Sequence, residues 1–414
     1  MLKSIFKPGI YAVIFSMVLM QSCLKDTTTK TYNIFSPIYT TKAAARSGVK
    51  NEAPKPVVSP GKIFVLGNYL FLNEVDEGIH VIDNTNPSNP INKYFIPIPG
   101  NVDLAVKGNI LYADMYRDLL AIDISNPLNV QVKKVVENTF PQRVYNNGFV
   151  GDTSLIITGW VKKDTMIEYH NNYNYYAFED AVLLSSSSGG NSSSLNAPVG
   201  IAGSMARFTL MNNYLYTVTN MELNVIDITQ PQNPVFNNMV QVGWRIETIY
   251  PFQNNLFIGS STGMFIYSTT DPAHPSLVSQ FSHLTACDPV IADGNNAFVT
   301  LRTGTNCSVG VNQLEILNIQ DLQSPTLVKT YPLTNPHGLS KSGNYLFICD
   351  GIAGLKVYDA TDPNNLQLLQ TISNINAYDI ITMNNNAIVV ATDGVYQYDY
   401  SNPSNLVLRS KIGL

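Results

Sequence analysis

Seven ionisable residues stand at similar places in a chain that carries few charges. Only 13% of its 414 residues are Asp, Glu, Lys or Arg. Each of the seven lies just before, or at the start of, a short apolar run that leads into a turn rich in Gly or Asn. They are Asp103, Arg143, Arg207, Glu247, Asp288, His337 and Asp379. Carboxylates, guanidinium groups and an imidazole brought together in a concave place can bind a ligand.

The same residues also permit acid–base chemistry. Glu247, Asp288 and Asp379, together with His337, would supply the acid and the base of a hydrolase or lyase that acts on a carbohydrate or a lactone. A third interpretation is that the charges only pair with one another in a wet channel. The sequence carries no nucleophile elbow, phosphate loop or zinc-protease motif, so we expect a binding or scaffolding module rather than an enzyme.

The composition narrows the partners of such a module. The formal net charge is −5 and no run of Lys or Arg is present, which argues against nucleic-acid binding. The five histidines are scattered, and no Cys or His cluster has metal-ligand spacing, so we expect no metal and no cofactor. We expect an unknown protein or glycan as the ligand, and a monomer in solution. A structural role in an outer-membrane complex is a further alternative, which predicts an exposed apolar patch.

Three of the four cysteines lie in the body of the chain. Cys287 and Cys307 flank one apparent hairpin, and in an oxidising compartment we expect them to form a disulfide. Closing a loop of about 20 residues would contribute roughly 3 kcal/mol. Cys349 follows an apolar run and is expected to be a small buried residue.

The elements that must position these residues repeat about every 40 residues. Each unit has a strand-like apolar run that ends at Asp, Asn or Ser, usually with Pro four residues later. The runs are GIHVIDNTNPSNP (78–90), LLAIDISNPLNV (119–130), ELNVIDITQPQNP (222–234), GMFIYSTTDPAHP (263–275), QLEILNIQDLQSP (313–325), GLKVYDATDPNNL (354–366) and GVYQYDYSNPSNL (394–406). A second strand, opened by a Gly-Asn or Asn-Asn turn, precedes each run, and two more short strands flank the pair. Four strands in each unit of this length are typical of a propeller blade.

The spacing predicts an all-β propeller of about eight four-stranded blades, with seven as the alternative. A gap of 104 residues separates the second and third runs, so we place a hidden blade from Arg143 to about Leu184 and an insertion at about 171–203. Residues 59–414 would form the propeller. Because the first strand of each blade lines the central channel, the seven ionisable residues are expected to ring one mouth of it.

The repeated strings VID, AID and VYD resemble the LVIVD repeat, a β-propeller unit of bacterial and archaeal extracytoplasmic proteins. The resemblance covers residues 62 to 412. It implies the propeller fold, and it implies no particular activity, because members of this family are largely without an assigned one.

The N-terminus predicts export. Lys3 and Lys7 precede an apolar run of 11 residues, Ile10 to Met20, which is too short to span a bilayer and suits a signal peptide. Met20-Gln21-Ser22-Cys23 resembles the lipobox of bacterial lipoproteins, which implies lipidation at Cys23. A plain secretory signal with a chance Cys is the alternative.

These features predict a domain order and a location. Residues 1–22 would be the lipoprotein signal peptide and residues 23–58 a flexible stalk, since they are rich in Thr, Lys, Ala and Pro without sustained periodicity. We expect the protein at the outer membrane, held only through its N-terminal lipid, on the periplasmic or the cell-surface side.

Overall fold

The computed structural model describes residues 28–127, 129–145, 148–169, 201–282, 289–303 and 311–413. The described residues divide into two compact units, of which one contains those within 28–37 and 160–169 and the other those within 38–159 and 201–413. The described residues form strands joined by short turns, with one short helix.

The bounds of the elements follow the repeat. The first part of the chain holds β1 (Thr28–Thr41), α1 (Lys42–Gly48), β2 (Pro60–Leu66), β3 (Tyr69–Glu74), β4 (Gly78–Asp83), β5 (Ile91–Pro97), β6 (Leu104–Lys107), β7 (Ile110–Met115), β8 (Asp118–Asp123), β9 (Gln131–Val136), β10 (Leu155–Tyr169) and β11 (Ile201–Ala202). Next come β12 (Phe208–Met211), β13 (Tyr214–Val218), β14 (Glu222–Asp227), β15 (Val235–Gln241), β16 (Ile246–Phe252), β17 (Asn255–Ser260), β18 (Gly263–Ser268) and β19 (Ser276–Ser282). The last strands are β20 (Val290–Asp293), β21 (Asn296–Leu301), β22 (Gln313–Asn318), β23 (Thr326–Pro332), β24 (Leu339–Ser342), β25 (Tyr345–Cys349), β26 (Leu355–Asp359), β27 (Gln367–Ile372), β28 (Ala377–Met383), β29 (Asn386–Ala391), β30 (Gly394–Asp399) and β31 (Val407–Gly413).

The larger unit is a β-propeller of seven blades. Each blade is an antiparallel meander of four consecutive strands, namely β2–β5, β6–β9, β12–β15, β16–β19, β20–β23, β24–β27 and β28–β31. The all-β propeller prediction is confirmed with its alternative count of seven. The preferred count of eight is wrong.

Among the described residues of the segment predicted to hide a blade, no four-stranded sheet forms. Residues 155–169 make the single strand β10, which pairs with β1 in a separate two-stranded sheet. A blade needs four paired strands, and the described residues between β9 and β10 contribute only an isolated bridge from Val144 to Val150. Residues 170–200, which include most of the predicted insertion, lie outside the described residues.

The turns between the first and second strands are built as the sequence predicts. Each begins with a residue at positive φ, where Gly and Asn are strained least. These residues are Gly67, Gly108, Asn212, Gln253, Gly294, Gly343 and Asn384. The regular turn fixes how far along each first strand any residue lies, and so it sets the register of the channel lining.

The ring closes between the first and last blades without a shared strand. Ile63 and Val65 of β2 pack in one buried cluster with Ile388 and Val390 of β29. Asn84 and Gln397 exchange two side-chain hydrogen bonds, of 3.0 and 2.7 Å, across the same junction. Closure therefore rests on side-chain packing, at about 25 cal/mol per Å² of buried apolar surface, and on a few buried hydrogen bonds.

Part of the predicted stalk is ordered against the propeller. The prediction of a flexible segment over 23–58 is wrong for residues 42–58. Arg46 of α1 donates a 2.8 Å hydrogen bond to the buried carboxylate of Asp118, and Glu52 pairs through its backbone with Phe95. Ala45 lies in the hydrophobic cluster of the neighbouring blades. A composition typical of linkers was outweighed here by one buried ion pair and local apolar contacts.

In the smaller unit, residues 28–37 and 160–169 belong to β1 and β10, whose strands pair with each other. The Lys162 ammonium lies 6.0 Å from the centroid of the Phe35 ring.

Candidate functional site

The predicted ring residues lie at the start of the first strands, on one face of the propeller. Asp103, Arg207, Glu247, His337 and Asp379 each stand five or six residues before the positive-φ residue of the following turn, in five different blades. Asp288 has the same spacing but lies outside the described residues. Their common register places these side chains at one mouth of the channel, here called the ring end.

Arg143 reaches the same mouth by another route. It belongs to no blade, because the hidden blade predicted around it does not form. It lies in the segment between β9 and β10, and it donates through Nη1 to Asp76 and through Nη2 to the Gly100 carbonyl at 2.8 Å. Its guanidinium stacks 4.9 Å from the centroid of the Tyr116 ring. The placement at the mouth was predicted, but for the wrong structural reason.

Lys62 is a member of the ring that the sequence pattern did not lead us to predict. It stands on β2 of the first blade, five residues before Gly67, which is the spacing of Asp103 and Arg207 in the next blades. It is 3% exposed, and its Nζ lies 3.9 Å from Asp103 Oδ2. A lysine inside an apolar strand at this register was a signal available in the sequence.

The channel is filled by the chain itself, by residues 201–206, here called the channel segment. Its first two residues, β11, pair with β2 as a fifth, innermost strand. Lys62 Nζ donates 3.1 Å to the Met205 carbonyl, and the Leu339 N–H donates to Ser204 Oγ. The Ile249 N–H donates 2.8 Å to the Ala206 carbonyl. These contacts reach the first, fourth and sixth blades, so the segment is held from several sides.

One residue of the channel segment has no room for a side chain. A Cβ placed on Gly203 would lie 2.2 Å from Asp379 Oδ2. A Cβ on Gly338, in the loop before β24, would lie 2.3 Å from Asp379 Oδ1. The buried Asp379 carboxylate is therefore enclosed between two glycines, which explains why small residues stand at both positions.

Two cavities lie on either side of the channel segment. The ring cavity has a volume of about 350 Å³. Its lining includes the charged residues Lys62, Asp103, Asp114, Arg143 and Arg207 and the aromatic residue Phe140. The turn-end cavity has a volume of about 270 Å³ and is lined by, among others, Ser204, Tyr250, Phe252, Asp293, Lys341 and Thr382. Ser204 borders the second cavity and Arg207 the first, so the intervening residues divide the channel.

The carboxylates of the ring cavity are bonded within the protein. Asp103 Oδ1 accepts from the Leu104 N–H at 2.7 Å, and its Oδ2 accepts from the Arg207 N–H at 2.6 Å. Burial raises the pKa of Asp103, while Lys62 opposes this shift. Asp114 Oδ1 accepts from the backbone N–H groups of Val102 and Asp103, both at 2.9 Å. Burial raises the pKa of Asp114 to about 6.

The remaining ring residues form one electrostatic group. Burial raises the pKa of Glu247, and the positive charges of Arg207 and Arg302 partly offset this. Arg302 is 9% exposed, and its Nε has no hydrogen-bond acceptor among the described residues. Burial, together with the positive charge of Arg302, lowers the pKa of His337 to about 3. Glu247 and His337 are therefore each within electrostatic reach of Arg302.

His337 is held as a neutral ring. It is 4% exposed, and its Nε2 lies 3.2 Å from Asn335 Nδ2. Its ring meets Tyr378 edge to face with centroids 4.7 Å apart. Its carbonyl accepts a 2.7 Å hydrogen bond from Thr300 Oγ1. These contacts fix the imidazole structurally and leave it a weak base.

Cys23, Cys287 and Cys307 lie outside the described residues, so lipidation and the disulfide stay predictions. Cys349 is fully buried as expected, and burial raises the pKa of its thiol. Among the described residues no group of three or more His, Cys, Asp or Glu side chains is placed to hold a metal ion. None of their helices is both long and apolar enough to cross a membrane.

Comparison with known proteins agrees with this architecture. Four segments match the LVIVD repeat, at residues 60–94, 100–137, 202–242 and 337–373. These segments correspond to the first, second, third and sixth blades. No curated protein sequence matches the chain.

Two solved structures are similar in fold. A protein from Lactobacillus plantarum is 13% identical with a TM-score of 0.52, and the match covers 86% of this chain and 96% of that one. The computationally designed Ika8 protein is 10% identical with a TM-score of 0.50, covering 88% and 91% of the two chains. At these identities the likeness concerns the fold alone.

Proposed function

We propose that this seven-bladed β-propeller with LVIVD repeats is a non-enzymatic binding module of the cell envelope, and that the ring cavity is its binding site. The observation that carries the proposal is a cavity of about 350 Å³, lined by ionisable groups of the first three blades and by Arg143. Sites for small molecules in proteins span about 300–1,000 Å³ and combine apolar walls with a few placed polar groups.

The contacts of the candidate acid–base residues favour binding over catalysis. A general base must reach a proton of the substrate and needs a pKa near the working pH. His337 is buried, and its pKa of about 3 leaves it a weak base. Asp379 is enclosed by Gly203 and Gly338, and Asp103 is bonded to two backbone N–H groups. A hydrolase or lyase at this mouth is therefore the less supported alternative.

The surface gives little support to a role as a structural partner in an outer-membrane complex. Exposed apolar side chains are spread over the outer strands of several blades instead of gathering on one. They include Ile91, Phe236, Leu277, Leu327, Leu368 and Leu408. Scattered apolar residues of this kind are common on monomeric proteins.

The proposal includes export and a lipid anchor at Cys23. Its support is the apolar run of 11 residues, Ile10 to Met20, which ends three residues before that cysteine. The two acyl chains of a lipobox cysteine would keep the propeller at the outer membrane, on its periplasmic or outer side, while a glycan or protein ligand enters the ring cavity.

A binding screen tests the proposed site. The purified protein, as wild type, Arg207→Ala and Lys341→Ala, would be screened against glycans and metabolites by calorimetry. Arg207 lines the ring cavity and Lys341 the turn-end cavity, so the second variant is the matched control. We expect a ligand whose binding Arg207→Ala weakens and Lys341→Ala leaves intact. Equal binding by wild type and Arg207→Ala would exclude the ring cavity, and turnover of a bound compound would favour the enzyme.

A further inference from the structure

We infer that the ring cavity takes its ligand by a carboxylate group, held by the guanidinium of Arg207, with a ring of the ligand against the adjoining phenylalanines. The inference rests on the proposed function, because it concerns the same cavity. It names the chemical class of the ligand, an organic monocarboxylate that carries a ring.

The two carboxylates that line the cavity already accept hydrogen bonds from the protein. Both carboxylate oxygens of Asp103 accept backbone N–H groups, at 2.7 and 2.6 Å. Asp114 Oδ1 accepts two backbone N–H groups and, at 2.8 Å, the side-chain amide of Asn101. A carboxylate that spends its lone pairs on protein donors has little capacity left to bind a cationic or hydroxyl-rich ligand.

The cations of the cavity differ in how far they are engaged. Lys62 is paired with Asp103 and donates to the Met205 carbonyl. Arg143 is paired with Asp76 and donates to the Gly100 carbonyl. Among the described residues that line the cavity, these two cations therefore have close acceptors inside the protein.

Arg207 forms its hydrogen bond to Asp103 through the backbone, and its guanidinium acts on the buried carboxylates of Glu247 and Asp103 only through its charge. Its N–H donates to Asp103, while its side chain lines the cavity and forms no ion pair with any described residue. A guanidinium presents five N–H donors in a planar fork that matches a carboxylate with two parallel hydrogen bonds. The N–H donors of the Arg207 guanidinium are therefore available to bind a carboxylate of a ligand.

The wall beside Arg207 fits a ring. Phe208, the next residue, is buried and stacks on Phe140 with centroids 5.5 Å apart and an angle of 17° between the ring planes. Both residues line the ring cavity together with Tyr116. Flat apolar walls next to one guanidinium suit a carboxylate attached to a sugar ring or to an aromatic ring. A volume of about 350 Å³ accommodates a compound of one or two rings.

Matched pairs of compounds test the inference. Calorimetric titration would compare glucuronate with glucose, and benzoate with benzamide, so that each pair differs in its carboxylate. We expect at least one acid to bind about tenfold or more tightly than its neutral counterpart, since hydrogen bonds between two charged groups are stronger than those to a neutral group. The acid that binds identifies whether the ring is a sugar or an aromatic one.

Variants of Arg207 complete the test. Arg207→Gln should lower the affinity for the acid about tenfold or more, Arg207→Lys should retain part of it, and Lys341→Gln should retain all of it. Circular dichroism confirms that each variant is folded. Acids that bind no better than the neutral compounds, or that bind Arg207→Gln as they bind wild type, overturn the inference. A neutral ligand found in the ring cavity would then still support the proposed function, whereas a screen without any ligand ends both.

Discussion

The two ends of the channel are lined by the same strands, but their polar groups are held differently. At the ring end, Lys62 and Asp103 are 3% and 1% exposed and bond to backbone groups of the channel segment or of the strand starts. At the turn end, Lys341 and Asp293 form an ion pair of 2.5 Å in which the Asp293 side chain is 54% exposed. The difference shows that carboxylates can be buried at the starts of the first strands, because backbone N–H groups there can donate hydrogen bonds to them. The turn end repeats the same short turn, and in this pair the Asp293 carboxylate stays in solvent while the Lys341 side chain is 13% exposed.

Removing one cation at each end of the channel should give the largest difference in the free energy of unfolding. Lys62→Met leaves the Asp103 carboxylate buried without its counterion, which we expect to lower the free energy of unfolding by about 3–5 kcal/mol. Lys341→Met breaks a partly exposed pair and should cost about 1 kcal/mol or less. Urea denaturation of both variants measures the difference. Equal losses would contradict the claim that the ring end is the more tightly organised.

A side chain at Gly203 tests whether the channel segment is packed as described. Gly203→Val drives a Cβ toward the enclosed Asp379 carboxylate, and overpacking of this kind should cost about 3 kcal/mol. Gly413→Val places its Cβ where no atom lies within 4 Å, so it should change stability by about 0.5 kcal/mol or less. Thermal unfolding of the two proteins separates these results. A Gly203→Val protein as stable as wild type would mean that the segment leaves the channel easily.

A pH series should identify the buried imidazole of the ring end. The pKa of His337 is about 3 in the folded protein against 6.5 for an ordinary histidine. The unfolded chain therefore takes up a proton below pH 6.5 while the folded chain does not, so stability is lost as the pH falls. Between pH 7 and 5 the stability difference between wild type and His337→Gln should shrink by about 2 kcal/mol. Denaturation at the two pH values measures it, and a constant difference would show that His337 is more accessible to protons than its burial suggests.

The register of the ring could be read from the sequence because it is local. Each described ring residue is fixed by its distance from a turn that begins at positive φ, with Gly or Asn there in every blade but that of Glu247, which has Gln253, and such turns are recognisable without tertiary information. Lys62 follows the same rule and was missed because the predicted ring left out the first blade. Arg143 was included through a blade that does not exist.

The number of blades and the position of the channel segment could not be predicted from such local sequence patterns. The gap of 104 residues was divided by the repeat length, but its middle forms β10, which pairs outside the propeller. The pairing of β11 with β2 joins residues far apart in the chain, and a two-residue strand has no periodic signature. Long-range contacts of this kind decide which end of a channel is open to a ligand, and local sequence patterns do not reveal them.

The most direct measurement is a crystal structure of the protein with the tighter-binding acid, glucuronate or benzoate. We predict ligand density in the ring cavity, with the carboxylate in hydrogen-bond contact with the Arg207 guanidinium and the ring against Phe140 and Phe208. Density in the turn-end cavity beside Lys341, with the ring cavity holding only water, would contradict this prediction.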